Sequence, residues 1–278
     1  MKVLITGAKG QLGRELIKQM EREDYELILT DVDTLDITSS SQVYEYVNKF
    51  KPHVIVNCAA HTQVDKCEEE EDKAFLINAL GPKNLAQAAY AIGAEMVHIS
   101  TDYVFPGDIN KPLTEFEVTN PQTVYGKTKL IGEELVKEFN PKHYIIRTAW
   151  LYGDGNNFVK TMLALSLKNS TLKVVSDQIG TPTSTFDLAK VIIALIKSKD
   201  YGTFHCTCKG QCSWYDFAQK IFELKNIEVK VVPCSTEEYP RPAKRPKYSV
   251  LRNYMLENTI GDITRPWEEA LEDYLNRL

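Results

Sequence analysis

The sequence lacks any apolar run long enough to cross a membrane: the longest, Val191 to Ile196, falls far short of the roughly 20 residues a spanning helix needs. It also lacks an excess of positive charge. With 33 Lys and Arg against 38 Asp and Glu, the net charge is -5 and the pI about 5.7, so neither nucleic acid nor a membrane is an expected partner. Any anionic ligand must be held by locally focused positive charge. Cysteine is sparse as well. The six thiols, at positions 58, 67, 206, 208, 212 and 234, are too few and too scattered for a disulfide framework, and they read as reduced. The cluster His205-Cys206-x-Cys208-x-x-x-Cys212 lacks the CxxC pair usual in zinc sites and reads as a strand end followed by a turn. No internal repeat is present, and the apolar opening is too short for a signal peptide, so the expected location is the cytoplasm.

What the chain does contain is an alternation of strand and helix patterns. Residues 2 to 6 are β-branched and apolar, and Gly7-Ala8-Lys9-Gly10-Gln11-Leu12-Gly13 then opens an amphipathic stretch to residue 23. Gly7, Gly10 and Gly13 permit a tight turn, close backbone approach to a pyrophosphate and close helix-to-strand packing. A second strand, 26 to 30, ends at Asp31, where a carboxylate can bind an adenosine ribose. After a helix over 42 to 50, a third strand, 53 to 57, leads into Cys58-Ala59-Ala60-His61-Thr62, small residues that let a dinucleotide lie against the strand ends. The acidic run 68 to 72 reads as the solvated start of a single helix over 73 to 92. A fourth strand, 95 to 100, carries Thr101. A helix from about 121 to 139 carries Tyr125 and Lys129, and a fifth strand, 143 to 149, ends at Trp150.

This pattern predicts an α/β fold, a Rossmann-like doubly wound parallel sheet with a smaller, interleaved C-terminal substrate-binding domain. Residues 1–153 form the expected dinucleotide-binding domain, with 184–206 returning to its sheet, and 154–183 and 207–278 form the second. Within the second, the proline-rich basic segment 239 to 247 reads as a linker, an anion site, or both.

Tyr125 and Lys129 stand one turn apart on one helical face and can act as a unit. A phenol titrates near ~10, but a nearby ammonium favours the phenolate; a drop of about three units is worth roughly 4 kcal/mol and makes Tyr125 a usable acid. Thr101 can hold a carbonyl oxygen toward that phenol, so the three groups form a relay for reducing or oxidising a C–O centre.

Taken together, GAKGQLG, STDYVF and YGKTK resemble the extended short-chain dehydrogenase/reductase family. More narrowly, AHTQVDKCE, RTAWLYG, NNFVKTML, DQIGTPT and RPKYSVL are similar to the dTDP-4-dehydrorhamnose reductase family, across nearly the whole chain. The resemblance implies NADPH- or NADH-dependent reduction of the 4-keto group of dTDP-4-dehydro-L-rhamnose, the last step in making that nucleotide sugar. Tyr125 would donate the proton, Lys129 would bind the nicotinamide ribose and lower the phenol pKa, and Thr101 would orient the keto oxygen. Gly10, Gln11, Leu12, Asp31, Asp36, Ile37, Ala59, Ala60, His61 and Thr62 would line the cofactor, together with Gly7 and Gly13. Thr101, Asp102 and Trp150 would meet the dTDP-sugar, and Arg245 its diphosphate. Some members of the family are magnesium-assisted dimers using surface acids, for which Glu15 is the position carried over; a monomer or homodimer is expected.

Other readings share the architecture. A dehydratase needs further acid and base groups and carries Glu after the Thr-Asp pair, where this chain has Tyr103. Another nucleotide-sugar reductase or an epimerase would use the same Tyr and Lys, and a non-catalytic subunit would resemble the reductase-like regulator of methionine adenosyltransferase. Within the favoured reading, Asp31 repels a 2'-phosphate while Lys9 in the glycine loop attracts it, each by about 0–1 kcal/mol. Both NADH and NADPH should therefore support reduction, with catalytic efficiencies within roughly tenfold of each other. Steady-state kinetics checks this, with Lys9→Ala shifting preference toward NADH and Asp31→Ala toward NADPH. A wild-type preference beyond about a hundredfold would show that one of the two residues does not reach the ribose.

Overall fold

The computed structural model describes every residue from Met1 to Leu278. Its first half runs β1 (Lys2–Thr6), α1 (Gln11–Met20), β2 (Glu26–Leu29), α2 (Ser40–Phe50) and β3 (Val54–Asn57). Two short helices, α3 (Val64–Glu69) and α4 (Glu71–Phe75), lead through a π-helical turn (Leu76–Leu80) into α5 (Gly81–Ala91). Next come β4 (Glu95–Thr101), a 3-10 turn (Asp102–Val104), α6 (Val124–Phe139) and β5 (His143–Thr148). The second half holds β6 (Leu151–Tyr152), α7 (Phe158–Ser166), β7 (Thr171–Val175), β8 (Ile179–Gly180), β9 (Thr183–Ser184) and α8 (Thr185–Ser198). It closes with β10 (Gly202–His205), β11 (Cys212–Ser213), α9 (Trp214–Lys225), β12 (Lys230–Cys234), α10 (Tyr254–Glu257) and α11 (Trp267–Asn276).

The main sheet is parallel throughout, in the order β2-β1-β3-β4-β5-β10, which is the Rossmann-like arrangement that the alternation implies. Its strands are apolar on both faces because helices cover both. Val3, Ile5, Val54, Val56 and Ile146 pack against α1 and α8, while Leu4, Ile55, Met96 and Ile145 face α2, α5 and α6. The chain winds to one side after β1 and to the other after β3, so a crevice opens between their carboxyl ends. A second core gathers Tyr152, Phe217, Trp267 and Leu271 around the parallel pair β7–β12. Cys206 is buried in the first core, whereas Cys208 and Cys212 belong to the second; the segment is a strand end followed by a turn, as its spacing suggests.

Three local expectations are corrected. The single helix over 73 to 92 is broken by the π-helical turn before Gly81-Pro82. Proline supplies no N–H to an α-helical ladder, and the extra residue in the turn sends Asn78 into the interior. The acidic run is not merely solvated, because the Glu68 carboxylate accepts a hydrogen bond from Val124 N at 2.9 Å, and Glu70 meets both His61 and Lys73. Helix α6 consequently starts at Val124 and not near 121, with the Thr123 hydroxyl capping Gly126 N at 3.0 Å.

One buried ion pair ties α6 to the sheet. Arg147 of β5 donates to Glu133 of α6 through Nε at 2.9 Å and Nη2 at 2.7 Å, and Ser100 Oγ of β4 donates to the same carboxylate at 2.6 Å. Glu133 is fully buried and Arg147 nearly so. Removing one partner would strand the other charge away from water. Glu133→Ala should therefore cost about 3–5 kcal/mol of unfolding free energy. Urea denaturation measures it, and a loss under about 1 kcal/mol would mean that Arg147 finds another partner.

Candidate active site

The carboxyl ends of β1, β3, β4 and β5 enclose a cavity of about 430 Å³, lined by Gly10, Gln11, Leu12, Gly13, Thr62, Thr101, Asp102, Tyr125, Lys129 and Trp150 among others. It continues into a second cavity of about 690 Å³ beside β2, where Gly7, Lys9, Asp31, Asp36 and Ile37 stand. Gly10, Cys58, Ala59 and Ala60 line both. The groove is held narrow by backbone contact. Gly7 has φ +64°, and a Cβ there would come within 2.7 Å of Ala59 N; one on Gly13 would run into the Gly7 carbonyl oxygen. Two cavities joined over small residues, with the start of α1 aimed at the junction, fit a dinucleotide. Asp31 is fixed there by Lys9 N at 3.0 Å and Val32 N at 2.9 Å, and Asp36 accepts from Thr38 N at 2.9 Å.

Tyr125 and Lys129 are both buried on α6, yet their electrostatics differ from the sequence expectation. Burial pushes the Tyr125 phenol well up, with only the Thr101 hydroxyl pulling it down. Lys129 is pushed down to about 8 by burial, opposed by Glu133 and Cys58. Its Nζ does not turn to the phenol; it donates to Ile99 O at 2.5 Å and lies 3.4 Å from His98 Nε2. An ammonium facing a carbonyl elsewhere does little for a phenolate, so Lys129 does not lower the tyrosine pKa in this arrangement. Thr101 Oγ1 donates to Asp102 Oδ1 at 3.0 Å and accepts from Tyr103 N at 3.3 Å. The other Asp102 oxygen is buried without a well-formed hydrogen bond, although the Ser249 hydroxyl stands near the carboxyl, and burial raises this carboxyl to about 6 against the pull of Ser249 and Thr101.

Other residues are placed less simply. The His61 ring faces Glu70 at 3.0 Å and lines neither cavity, since Asn78 grips the His61 backbone through Oδ1 and Nδ2. Trp150 has φ +47° and stacks on Trp214 at 3.5 Å between ring centroids, so the two indoles form one wall. Arg245 lines an adjoining cavity of about 440 Å³ that shares Tyr103 and Trp214 with the first. Its guanidinium is engaged by Asp65 at 2.7 Å and by the Tyr103 hydroxyl at 3.2 Å. Glu15 lies apart, beside Lys18, Arg22 and Arg277, and accepts from Gln19 at 2.8 Å. No group of three or more His, Cys, Asp or Glu stands close enough to hold a metal ion, and the one other carboxylate side chain in the cavity that Glu15 lines, Asp154, is engaged by Arg14, Lys18 and Lys160, so this setting does not fit magnesium. Trp214, Asn57, Asn78 and His98 also stand at or behind the site, without a sequence motif of their own. Trp214 follows a Ser that caps a helix, a legible signal for the element though not for the wall.

The chain matches the family model described as the RmlD substrate binding domain over residues 1–278. It is 65% identical to a crystal structure of a dTDP-4-dehydrorhamnose reductase from Clostridium acetobutylicum ATCC 824, covering 100% of this chain and 99% of that one with a TM-score of 0.99. The dTDP-4-dehydrorhamnose reductase of Bacillus anthracis str. Ames, solved in complex with NADP, is 46% identical over 100% of this chain and 99% of its own, with a TM-score of 0.97. The spore coat polysaccharide biosynthesis protein SpsK of Bacillus subtilis (strain 168) is 46% identical over 99% of this chain and 96% of its own length.

The raised Asp102 carboxyl has a consequence for stability. The folded chain binds this proton more tightly than the unfolded one, so the group's contribution is complete below about pH 4 and is lost as pH rises through about 6. Above that, a charge is held in a dry site. Asp102→Asn should accordingly be more stable than wild type at about pH 7.5, by roughly 2–3 kcal/mol, and lose that advantage near pH 4. Thermal unfolding at the two pH values tests this; equal differences at both would show that Asp102 does not titrate as its burial implies.

Proposed function

The chain belongs to the RmlD substrate binding domain family and is an NAD(P)H-dependent oxidoreductase, and from that premise we propose that it reduces the 4-keto group of dTDP-4-dehydro-L-rhamnose to give dTDP-L-rhamnose, the last step of that sugar nucleotide's synthesis. The observation that carries this reading is the buried set Thr101, Tyr125 and Lys129 in a cavity continuous with a dinucleotide groove. The reduced nicotinamide, when bound, supplies the hydride that adds to C4. Tyr125 then gives its proton to the former keto oxygen, so the carbonyl becomes a hydroxyl and the phenolate is reprotonated from solvent. Thr101 holds that oxygen toward the phenol. Lys129 binds the nicotinamide ribose and, as an ammonium turned toward the site, lowers the cost of the phenolate.

Substrate recognition follows from the same surfaces. Trp150 and Trp214 form the wall against which the sugar lies, and Asp102 takes a sugar hydroxyl with its unpartnered oxygen. The adjoining cavity takes the thymidine end, with Arg245 exchanging Asp65 for the diphosphate. Lys9 is paired with Asp33 at 2.5 Å, but both are exposed, so the pair can open when a 2'-phosphate arrives. No step needs a metal.

Tyr125→Phe should keep the fold and cofactor binding but lose about 10²–10⁴-fold in turnover, the usual share of general acid catalysis. NADPH consumption with dTDP-4-dehydro-L-rhamnose reads this directly. Near-normal rates in the variant would remove Tyr125 from the mechanism, and no turnover by the wild type would remove the assigned substrate.

A further inference from the structure

Behind the catalytic lysine lies a buried polar chain that the proposed mechanism does not use. Ala59 N donates to Asn57 Oδ1 at 3.2 Å, and Thr6 Oγ1 donates to the same oxygen at 2.7 Å. A backbone N–H can only donate, so the Asn57 amide is fixed with its oxygen toward Ala59 and its nitrogen toward His98 Nδ1, 3.2 Å away. His98 Nδ1 must then accept. The imidazole is fully buried, and burial, the larger cause, holds its pKa below the usual value whichever form Lys129 takes, so it is neutral and carries its one proton on Nε2. That N–H points at Lys129 Nζ, 3.4 Å away. An ammonium has no lone pair to accept it, whereas an amine has one. Lys129 Nζ meanwhile donates to Ile99 O at 2.5 Å, as an amine also can.

We propose that His98 is a positioning residue for the cofactor site: its Nε2–H, set by Asn57, favours the uncharged form of Lys129, and in mildly alkaline solution cofactor binding recharges that amine with uptake of a proton. The ribose of the cofactor offers hydroxyl oxygens, which accept from an ammonium where His98 cannot. The inference rests on the assignment of Lys129 to cofactor binding. The other groups around Lys129 do not take over this role. Cys58 after β3 is pushed up to about 12 by burial and stays neutral; Glu133 on α6 is already paired with Arg147 of β5. Tyr125 of α6 and Asp102 after β4 face the cavity, the π-helical turn carries no titratable side chain, and Glu68 of α3 is taken by Val124 N. Glu71, Asp72 and Lys73 of α4 are exposed, and Lys83 of α5 lies over Phe139 at the far end of α6.

The sign is fixed by the lysine. It titrates near 8 in the free protein and higher in the complex, so affinity is full below about pH 8 and falls about tenfold per pH unit above it until the complex also deprotonates. Isothermal titration of the wild-type protein with NADPH, in two buffers of different ionisation heat, reads the uptake. NADH serves as the control without a 2'-phosphate that titrates. We expect several tenths of a proton taken up at about pH 8.5 and little near pH 7. His98→Asn keeps an acceptor for Asn57 but places no N–H at Lys129, and should move the onset of uptake to higher pH; His98→Gln restores an N–H there and should leave it near its wild-type position. Binding without uptake at pH 8.5, or an unchanged onset in His98→Asn, would overturn this inference while leaving the reductase reading intact. No cofactor binding at any pH would overturn both.

Discussion

Helix α6 lies against its neighbours at backbone contact distance, and the candidate site depends on that approach. A Cβ on Gly126 would strike the Tyr103 carbonyl oxygen, and one on Gly132 would strike the Asn78 carbonyl oxygen. With both positions glycine, the helix sinks far enough for Tyr125, Lys129 and Glu133, spaced one turn apart, to be buried together. The Glu133–Arg147 pair then fixes its rotation relative to β4 and β5. A helix held at a looser distance would leave a hydrated phenol and a hydrated ammonium. Neither would be poised by its surroundings.

The same burial explains why the site is assembled from groups with opposed shifts. Water is withdrawn from a phenol, an amine, an imidazole and a carboxyl at once, and each is pushed toward its neutral form. Near neutral pH the candidate site thus holds an Asp102 carboxylate and a Lys129 ammonium, each brought within reach of its titration by burial, beside a neutral phenol and imidazole. The chemistry is prepared by low dielectric as much as by named partners.

Much of this was legible in the sequence, for physical reasons. The parallel sheet shows itself because strands covered on both faces must be apolar at nearly every position, as in Val54 to Asn57. The glycine loop and the Tyr125–Lys129 spacing show themselves because they are local, set by one turn and one helical period. What depends on distant packing did not show. The break before Gly81 serves a contact between Asn78 and the His61 backbone, seventeen positions away in sequence. The direction of Lys129 follows from a carbonyl on β4, and the partner of Trp150 from a helix in the other core. Periodicity gives the face on which a side chain stands but not the atom it meets.

The order in which the chain builds its sheet carries a consequence for synthesis. Strand β10 closes the edge beside β5, and α8 covers one sheet face together with α1, yet both follow β7 in the chain, a strand that belongs to the other core and waits for β12. A nascent chain that has emerged through β5 therefore presents an open strand edge and a half-covered apolar face while more than one further element is still being translated. Such a surface is a template for pairing with another chain. The interleaving that places β10 beside β5 thus makes completion of the main sheet wait on residues far along the chain.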